Sequence, residues 1–104
     1  MNKTELELLN TIGAGDYLNA TAYNIRKDGK GIERKINEYV NIESKEEGKG
    51  INIYVKENTP FAIVDIPVLI TESGLTDVVY NDFFIGKNGG LIKAYGNVFA
   101  NKPD

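Results

Sequence analysis

The sequence predicts a mainly β protein with one short helix at its N-terminus. Three observations support this prediction: a helix-capping pattern near the start, apolar residues that alternate with polar ones along much of the remainder, and turn-forming pairs between the alternating runs. Together they indicate about six strands at intervals of roughly 10–15 residues. Such spacing is typical of a β-sandwich or of a parallel β-helix.

The helix is predicted to be capped at Thr4. Thr4 and Glu7 have the spacing of a capping box, in which the threonine side chain accepts from a backbone amide and the glutamate reaches back. Gly13 supplies a left-handed stop. A helix of about ten residues is marginal alone and must dock on a larger element. Its narrow apolar stripe consists of Leu6, Leu9 and Ile12.

The first half of the chain is predicted to contain half-buried strands. Residues 22–26 form a short β-rich run, and Asp28-Gly29 after them is a strong signal for a two-residue hairpin. A polar loop separates the next extended segment from a further alternation over residues 51–55. In that extended segment one face is apolar; its residues are Ile32, Ile36, Val40 and Ile42.

The later strands are more apolar. Residues 61–70 carry apolar side chains on both faces, which predicts a strand covered on both sides. Pro67 removes one backbone donor from this run, so the strand should lie at an edge, a bulge or a bend. Residues 75–85 are predicted to form another long apolar and aromatic strand, and a turn leads to a last one over residues 91–99.

Composition excludes several classes of chemistry. The 104 residues are expected to form one domain, because a second would need a core of its own, and they include no cysteine or histidine. Disulfides, thiolate nucleophiles, imidazole bases and zinc sites of the usual kind are therefore excluded. Any metal would be a hard, oxygen-bound cation. No spacing suggests a site, so we assign no catalytic, cofactor or metal residue and expect no enzyme activity.

Charge and hydropathy bear on partners and location. The chain has 12 basic and 15 acidic residues, a net charge of −3, and its basic residues are scattered among acids. This pattern argues against a nucleic-acid or anionic-membrane partner. The N-terminus lacks the apolar core of a secretory signal, and no stretch approaches the roughly 20 apolar residues of a transmembrane helix. We expect a cytoplasmic protein.

Three aspartates lie within the apolar runs. Asp65, Asp77 and Asp82 could together hold a hard cation or serve in acid–base chemistry. Because each has hydrophobic neighbours in the sequence, we favour solvent-facing or turn-capping roles. Asp65 differs from the other two, since its face of the strand also carries apolar residues. A buried carboxylate at that position would need a partner.

Two other features have a structural and a functional interpretation. Gly13-Ala14-Gly15 lacks the preceding strand of a dinucleotide-binding motif, so we interpret it as the helix end. The aromatic residues could stack against sugars or bases, but at strand positions cross-strand packing is favoured. They are Tyr17, Tyr23, Tyr39, Tyr54, Tyr80 and Tyr95, with Phe83 and Phe84.

Two segments of the later strands, DIPV at residues 65–68 and YNDFFIG at residues 80–86, carry a family resemblance. They resemble the SufB/SufD family of iron–sulfur cluster assembly proteins. In that family a strand ending in a His-Ile-Pro-Val-type segment precedes a Tyr-Asn-Asp-Phe-Tyr-Ile-Gly-type segment. The resemblance covers roughly residues 17–88 and implies that the later strands begin a right-handed parallel β-helix.

The resemblance ends after the turn at Asn88-Gly89. The cysteine, histidine and glutamate side chains implicated in cluster assembly in the family have no counterpart, nor does the helical region that engages the ATPase SufC. The resemblance thus implies a truncated, frame-shifted or shortened member, without a cluster and with SufC binding in doubt. Asp28-Gly29 and Asn88-Gly89 favour antiparallel hairpins, so the early part is expected to be a small sheet that leads into parallel rungs.

These observations predict one domain of three parts: helix and cap (1–15), a β-rich region (16–60) and β-helix-like rungs (61–104). The first functional hypothesis is a truncated, non-catalytic SufB/SufD-like scaffold of iron–sulfur cluster assembly. It would form homo-oligomers through strand edges or pair with a full-length relative. The alternative is an autonomous β-rich interaction or ligand-binding module with no role in cluster assembly.

Overall fold

The computed structural model describes residues 1–96 and 98–100. Within these ranges one α-helix, two short 3-10 helices and nine strands occur, and the mainly β class with a short N-terminal helix is confirmed. The number of strands is nine and not about six, because three of the predicted extended segments are each divided into two strands. In chain order the α-helix and the strands are α1 (Lys3–Thr11), β1 (Ala22–Lys27), β2 (Lys30–Lys35), β3 (Val40–Ser44), β4 (Gly50–Val55), β5 (Ala62–Asp65), β6 (Val68–Ile70), β7 (Tyr80–Ile85), β8 (Leu91–Tyr95) and β9 (Val98–Ala100).

The helix is capped two residues earlier than predicted, at Asn2. The Asn2 side chain accepts from the amide of Glu5 at 2.8 Å, and the Glu5 carboxylate accepts from the amide of Asn2 at 2.9 Å. The capping box therefore lies here and not at Thr4 and Glu7, because asparagine is as good an N-cap as threonine and comes first in the chain. The helix ends as expected, with Gly13 at φ 78°.

The apolar face of α1 also differs in part from the prediction. Leu9 is completely buried, and Leu8 and Ile12 pack against the same cluster, whereas Leu6 is 40% exposed. The cluster joins the helix to one face of a sheet through Tyr23, Ile25 and Leu69. The short helix is thus stabilised by docking, as its length requires.

The first sheet consists of β2, β1, β5 with β6, and β8 with β9, in that spatial order. β2 runs antiparallel to β1, whereas β5 and β6 both run parallel to β1. β8 and β9 continue the parallel arrangement on the far side of β5 and β6. Asp28 and Gly29, with φ of 50° and 82°, form the predicted hairpin turn between β1 and β2.

The second sheet consists of β3, β4 and β7. β3 is antiparallel to β4, and β7 is parallel to β4 on its other side. The larger core cluster lies between the two sheets, and the helix covers the opposite face of the first sheet. Its buried residues are Ala22, Val40, Ile42, Ile51, Ile53, Val55, Ala62, Val64 and Ile66.

Three pairs of parallel strands share a shift of thirty residues, whereas β1 pairs with β5 and β6 at a shift of forty-two. In the second sheet Gly50 pairs with Tyr80 and Val55 with Ile85. In the first sheet Val64 pairs with Ala94, and β6 keeps the same shift with β9. From β4 onward the chain therefore alternates between the sheets and returns to each one after thirty residues, a periodicity that the sequence alone does not reveal.

The corner between the two sheets repeats with the same period. Asn58 and Asn88 have φ of 59° and 58°, the left-handed region that asparagine tolerates. The side-chain amide of Asn88 donates to the Asn58 side-chain oxygen at 3.4 Å, and the backbone amide of Asn58 donates to the carbonyl of Lys87 at 2.9 Å. The two corners are therefore stacked on each other.

Pro67 lies at a break between β5 and β6. The predicted edge position is wrong, since β1 and β8 flank β5, and no bulge against β1 occurs at the proline. β5 and β6 are separated by Ile66 and Pro67, yet Ala22 pairs with Val64 and Arg26 with Val68, so the register is the same on both sides. The carbonyl of Pro67 accepts from the amide of Arg26 at 3.0 Å. The proline thus interrupts the strand without displacing it.

Three predictions about the strands are wrong. Ile32 and Ile36 are 38% and 51% exposed, because β2 and β3 belong to different sheets and the chain turns between them. The strand predicted over residues 75–85 begins only at Tyr80. Asn88 stands in an inter-sheet corner and not in a hairpin, since β7 and β8 lie in different sheets. Asn97, within the last predicted strand, and residues 101–104 lie outside the described residues.

Candidate functional site

The two edge strands of the second sheet, β3 and β7, differ in how completely their inward-facing residues are buried. Val40 on β3, Val55 on β4 and Ile85 on β7 are register partners on one face of the sheet. Their relative exposures are 0%, 3% and 49%. The core is therefore closed at β3 and open at β7, because β7 carries an inward-facing apolar residue that no further described strand covers.

Arg34, on β2, covers the edge at β3, which is here called the closed end. Its guanidinium donates to the carbonyl of Ile42 at 3.4 Å, to the hydroxyl of Ser44 at 3.0 Å and to the side chain of Asn24 at 2.9 Å. A cation placed over an edge strand discourages pairing with another chain. This role of Arg34 could not be predicted from the sequence, since nothing local distinguishes it from any other charged strand residue.

The open edge, defined here as β7 with its residues Tyr80–Ile85, has the opposite character. β7 pairs with β4 on one side, and among residues 1–96 and 98–100 no strand lies on its other side. Tyr80 and Phe84 are 59% and 51% exposed. Asp82 is the charged residue of this strand, and it pairs with Lys45 at 2.5 Å. An exposed edge with large apolar side chains is a template for strand addition.

An aromatic cleft of about 670 Å³ adjoins the open edge. Tyr54 and Phe84, which are register partners, stack with ring centroids 5.1 Å apart and planes 15° apart. Tyr39, 40% exposed, lines the same cleft. The predicted cross-strand packing is confirmed for this pair, which also leaves one apolar wall accessible.

The other described tyrosines do not join this surface. Tyr17 and Tyr23 pack edge to face, 4.9 Å apart, in the cluster below α1. The Tyr23 hydroxyl donates to Glu33 at 2.9 Å, and burial together with this hydrogen bond raises the pKa of Tyr23 to about 12. These rings are core residues.

The three candidate aspartates are not brought together. Asp82 is exposed, as predicted. Asp77 is not: its side chain is 5% exposed, and it accepts from Arg26 Nε at 2.6 Å and Nη2 at 2.9 Å. The expected solvent-facing or capping role of Asp77 is wrong, because an arginine fifty-one residues away neutralises it.

Asp65 also departs from the expectation. It is 8% exposed, and none of the described residues forms a hydrogen bond or ion pair with its carboxylate. Burial raises the pKa of Asp65, and the nearby charge of Asp16 raises it further. It lines a cavity of about 250 Å³ between β5 and the segment after α1. The prediction that Asp65 faces solvent is therefore wrong, because the segment after α1 covers it.

Residues 1–96 and 98–100 contain no cluster of three or more acidic, histidine or cysteine side chains that could hold a metal ion. The Gly13-Ala14-Gly15 segment forms the helix end that was predicted, with Ala14 buried in the helix cluster. Among the same residues, no helix combines the length and apolar character needed to cross a membrane.

The fold and this surface define the protein as a mainly β protein with two facing sheets, the second of which has one protected edge at β3 and one open edge at β7 among the described residues. Comparison of the chain with family models, curated proteins and solved structures gave no significant match. The SufB/SufD resemblance stays a prediction.

Proposed function

We propose that the protein is a SufB/SufD-like, non-catalytic scaffold of iron–sulfur cluster assembly, and that its two sheets are the start of a right-handed parallel β-helix. The observation that supports this best is the thirty-residue shift, which holds in both sheets. Stacked corners at Asn58 and Asn88 add to it, since each turn of such a coil repeats the geometry of the one before.

A structural and not a chemical role follows from the residues available. Without cysteine or histidine, the chain lacks the usual ligands of an iron–sulfur cluster and the usual acid–base group. Purified protein should therefore carry no cluster after incubation with iron and sulfide. The chain would act by pairing with another protein.

The open edge is the surface through which this pairing would occur. The inward-facing Ile85 is half exposed, and a further strand beside β7 would cover it and satisfy the free side of the strand. A second copy of the chain, or a SufB/SufD relative, supplies such a strand. The closed end is unsuited to this because Arg34 covers β3.

Two matched substitutions test the edge. Ile85→Lys places a charge at the open edge, and Ile32→Lys makes the same change at an exposed position of β2. In sedimentation velocity at micromolar concentration, the unsubstituted protein and Ile32→Lys should associate, whereas Ile85→Lys should be monomeric. A stable monomer in every case would refute association through β7.

The role in cluster assembly needs a separate test. Tagged protein isolated from the cells that produce it should retain a SufB/SufD relative, identified by mass spectrometry, and the Ile85→Lys variant should lose it. SufC is not expected as a direct partner. Recovery of no family member, with self-association intact, would reject cluster assembly while leaving the open edge valid.

The aromatic cleft favours a second candidate function, an autonomous interaction or ligand-binding module. Tyr39, Tyr54 and Phe84 offer flat apolar faces of the kind that stack on sugar or base rings. Titration with oligosaccharides and nucleosides, followed by NMR, should then shift the signals of these rings. Saturable shifts that Phe84→Ala abolishes would support this function over the scaffold.

A further inference from the structure

We propose that the open edge binds a second copy of the same chain, with the two β7 strands antiparallel about a two-fold axis that passes through Phe83. This inference rests on the open edge of the proposed function and goes beyond it, because it fixes the partner, the direction of the added strand and its register. Asn81 then lies opposite Ile85 of the second copy, and Asp82 lies opposite Phe84. Because both copies use the same edge, the assembly ends at two chains.

Backbone hydrogen bonds divide β7 into two alternating sets of residues. The amide of Tyr80 donates to the carbonyl of Lys49 at 2.9 Å, and the amide of Gly86 donates to the carbonyl of Val55 at 2.8 Å. Since the N–H and C=O groups of successive residues point to opposite sides of a strand, the even-numbered residues of β7 bond to β4. The odd-numbered residues direct their N–H and C=O groups to the open side; they are Asn81, Phe83 and Ile85.

A two-fold axis at Phe83 uses all of these free groups. In an antiparallel pair, directly opposed residues of this kind exchange two hydrogen bonds. Phe83 bonds to Phe83 of the second copy, and Asn81 and Ile85 bond to each other twice, once on each side of the axis. An axis at Asp82 or at Phe84 leaves one of the three residues without a partner in the facing β7. The register at Phe83 therefore forms the most hydrogen bonds.

The same register keeps both cores on one side of the joined sheet. Directly opposed residues of an antiparallel pair point to the same face. Phe83 packs against the larger core cluster, and Ile85 is the register partner of the buried Val55, so the odd-numbered residues of β7 face the core. Pairing them with one another covers the half-exposed Ile85. An axis between two residues would place the two cores on opposite faces of the sheet.

Charge disfavours the neighbouring register and the opposite edge. An axis at Asp82 places two carboxylates directly opposite each other, which is destabilising in a sheet. With the axis at Phe83, Asp82 lies opposite Phe84 of the second copy and keeps its own ion pair with Lys45 at 2.5 Å. The closed end is a poorer partner for β7, because Arg34 covers β3. Two open edges therefore fit each other better than an open edge fits a closed end.

Single cysteines report the register, since the chain has none of its own. A disulfide needs Cα atoms within about 7 Å of each other. Directly opposed residues are about 4.5–5.5 Å apart, whereas residues two positions out of register are about 8 Å apart. Under mild oxidation, Phe83→Cys should cross-link to itself. An equal mixture of Asp82→Cys and Phe84→Cys should form a mixed cross-linked dimer.

The matched controls use the same cysteines one at a time. Asp82→Cys alone and Phe84→Cys alone should not cross-link, because each lies two positions out of register with its own copy. Asn41→Cys, exposed on β3 at the closed end, should not cross-link either. Adding Ile85→Lys to both members of the mixture should abolish the mixed dimer. Phe83→Cys removes a large side chain from the core, so the mixture provides a measurement that leaves Phe83 intact.

Sedimentation equilibrium of the unsubstituted protein should give two copies and nothing larger. Cross-linking of Asp82→Cys or of Phe84→Cys with itself would overturn the register, while association through β7 would stand. Assemblies that keep growing with concentration would overturn the two-fold axis.

The outcome also separates this inference from the role in cluster assembly. The expected cross-links, without recovery of any SufB/SufD relative from cells, would support the symmetric pair and reject that role. A monomer that gives no cross-links but retains such a relative through β7 would overturn the symmetric pair and leave the proposed function standing.

Discussion

Asp28 and Asp65 both belong to the first sheet and its turns, and their surroundings shift their pKa values in opposite directions. Asp28 accepts from the Thr71 hydroxyl at 2.6 Å and from the Thr71 amide at 2.7 Å, so its pKa is lowered. Asp65 is buried and lies near the charge of Asp16, so its pKa is raised. The same residue type thus stabilises the fold at one position and destabilises it at the other.

For Asp65 we expect that Asp65→Asn raises the free energy of unfolding by about 1 kcal/mol at pH 7. A raised folded-state pKa means that the penalty is absent below the unfolded value of 3.8 and develops as the pH rises through the folded value. Urea unfolding between pH 3 and pH 7 checks this. A gain that stays constant with pH would contradict the electrostatic explanation.

For Asp28 the sign is reversed. A lowered folded-state pKa contributes stability above the unfolded value of 3.8, and this stability is lost as the pH falls through the folded value. Asp28→Asn keeps a residue that tolerates the positive φ of 50° but removes the charge. We expect a loss of about 1 kcal/mol at pH 7 that vanishes under strongly acidic conditions, measured by the same unfolding series.

Among the elements, the corners between the sheets show how local chemistry supports a non-local repeat. Each corner needs a left-handed residue, and asparagine occupies that position in both. The two side chains then hydrogen-bond across the stack. Each asparagine therefore forms its own corner and also links that corner to the one stacked on it.

Substitutions at Asn58 separate the two contributions. Asn58→Ala should lower the free energy of unfolding by about 1–2 kcal/mol, because alanine disfavours the left-handed conformation. Asn58→Gly removes the same side-chain hydrogen bond but accepts the conformation, so it should recover most of that loss. Asn41→Ala, at an exposed extended position, serves as the control. Equal losses for alanine and glycine would mean that the side-chain contact dominates.

At the scale of the whole molecule, one ion pair links the two sheets. Arg26 belongs to β1 of the first sheet, and its guanidinium binds Asp77, just before β7 of the second sheet. It also donates to the carbonyl of Gly48, just before β4, at 3.1 Å. Because both side chains are largely buried, the pair holds two connections of the second sheet against the first.

Breaking this pair should be costly. Asp77→Asn leaves the guanidinium without its counter-charge, and we expect a loss of about 2–3 kcal/mol in the free energy of unfolding. Asp82→Asn breaks the exposed pair with Lys45 and should cost no more than about 0.5 kcal/mol. Chemical denaturation of both variants provides the comparison. Similar small losses would show that the Arg26–Asp77 contact contributes little to the joining of the sheets.

Much of this molecule could be predicted from local signals. The alternation over residues 51–55, the turn at Asp28-Gly29 and the helix end at Gly13 all appear where the sequence indicated, because side-chain periodicity and left-handed turns depend on neighbours only. The helix start and the strand before Tyr80 were wrong by a few residues, as competing local signals lie close together there.

The candidate surfaces depended on the tertiary structure. Alternation states which side of a strand is apolar but not which strand lies beside it, so the thirty-residue shift and the open side of β7 could not be predicted. Asp77 and Asp65 have similar sequence surroundings, yet an arginine from a distant strand pairs with one and a turn of small residues buries the other. The sequence by itself determined the elements and the absence of cysteine and histidine chemistry. Only the packing of distant segments decided which edge stayed open and which carboxylate lost its solvent, because both depend on contacts between residues far apart in the chain.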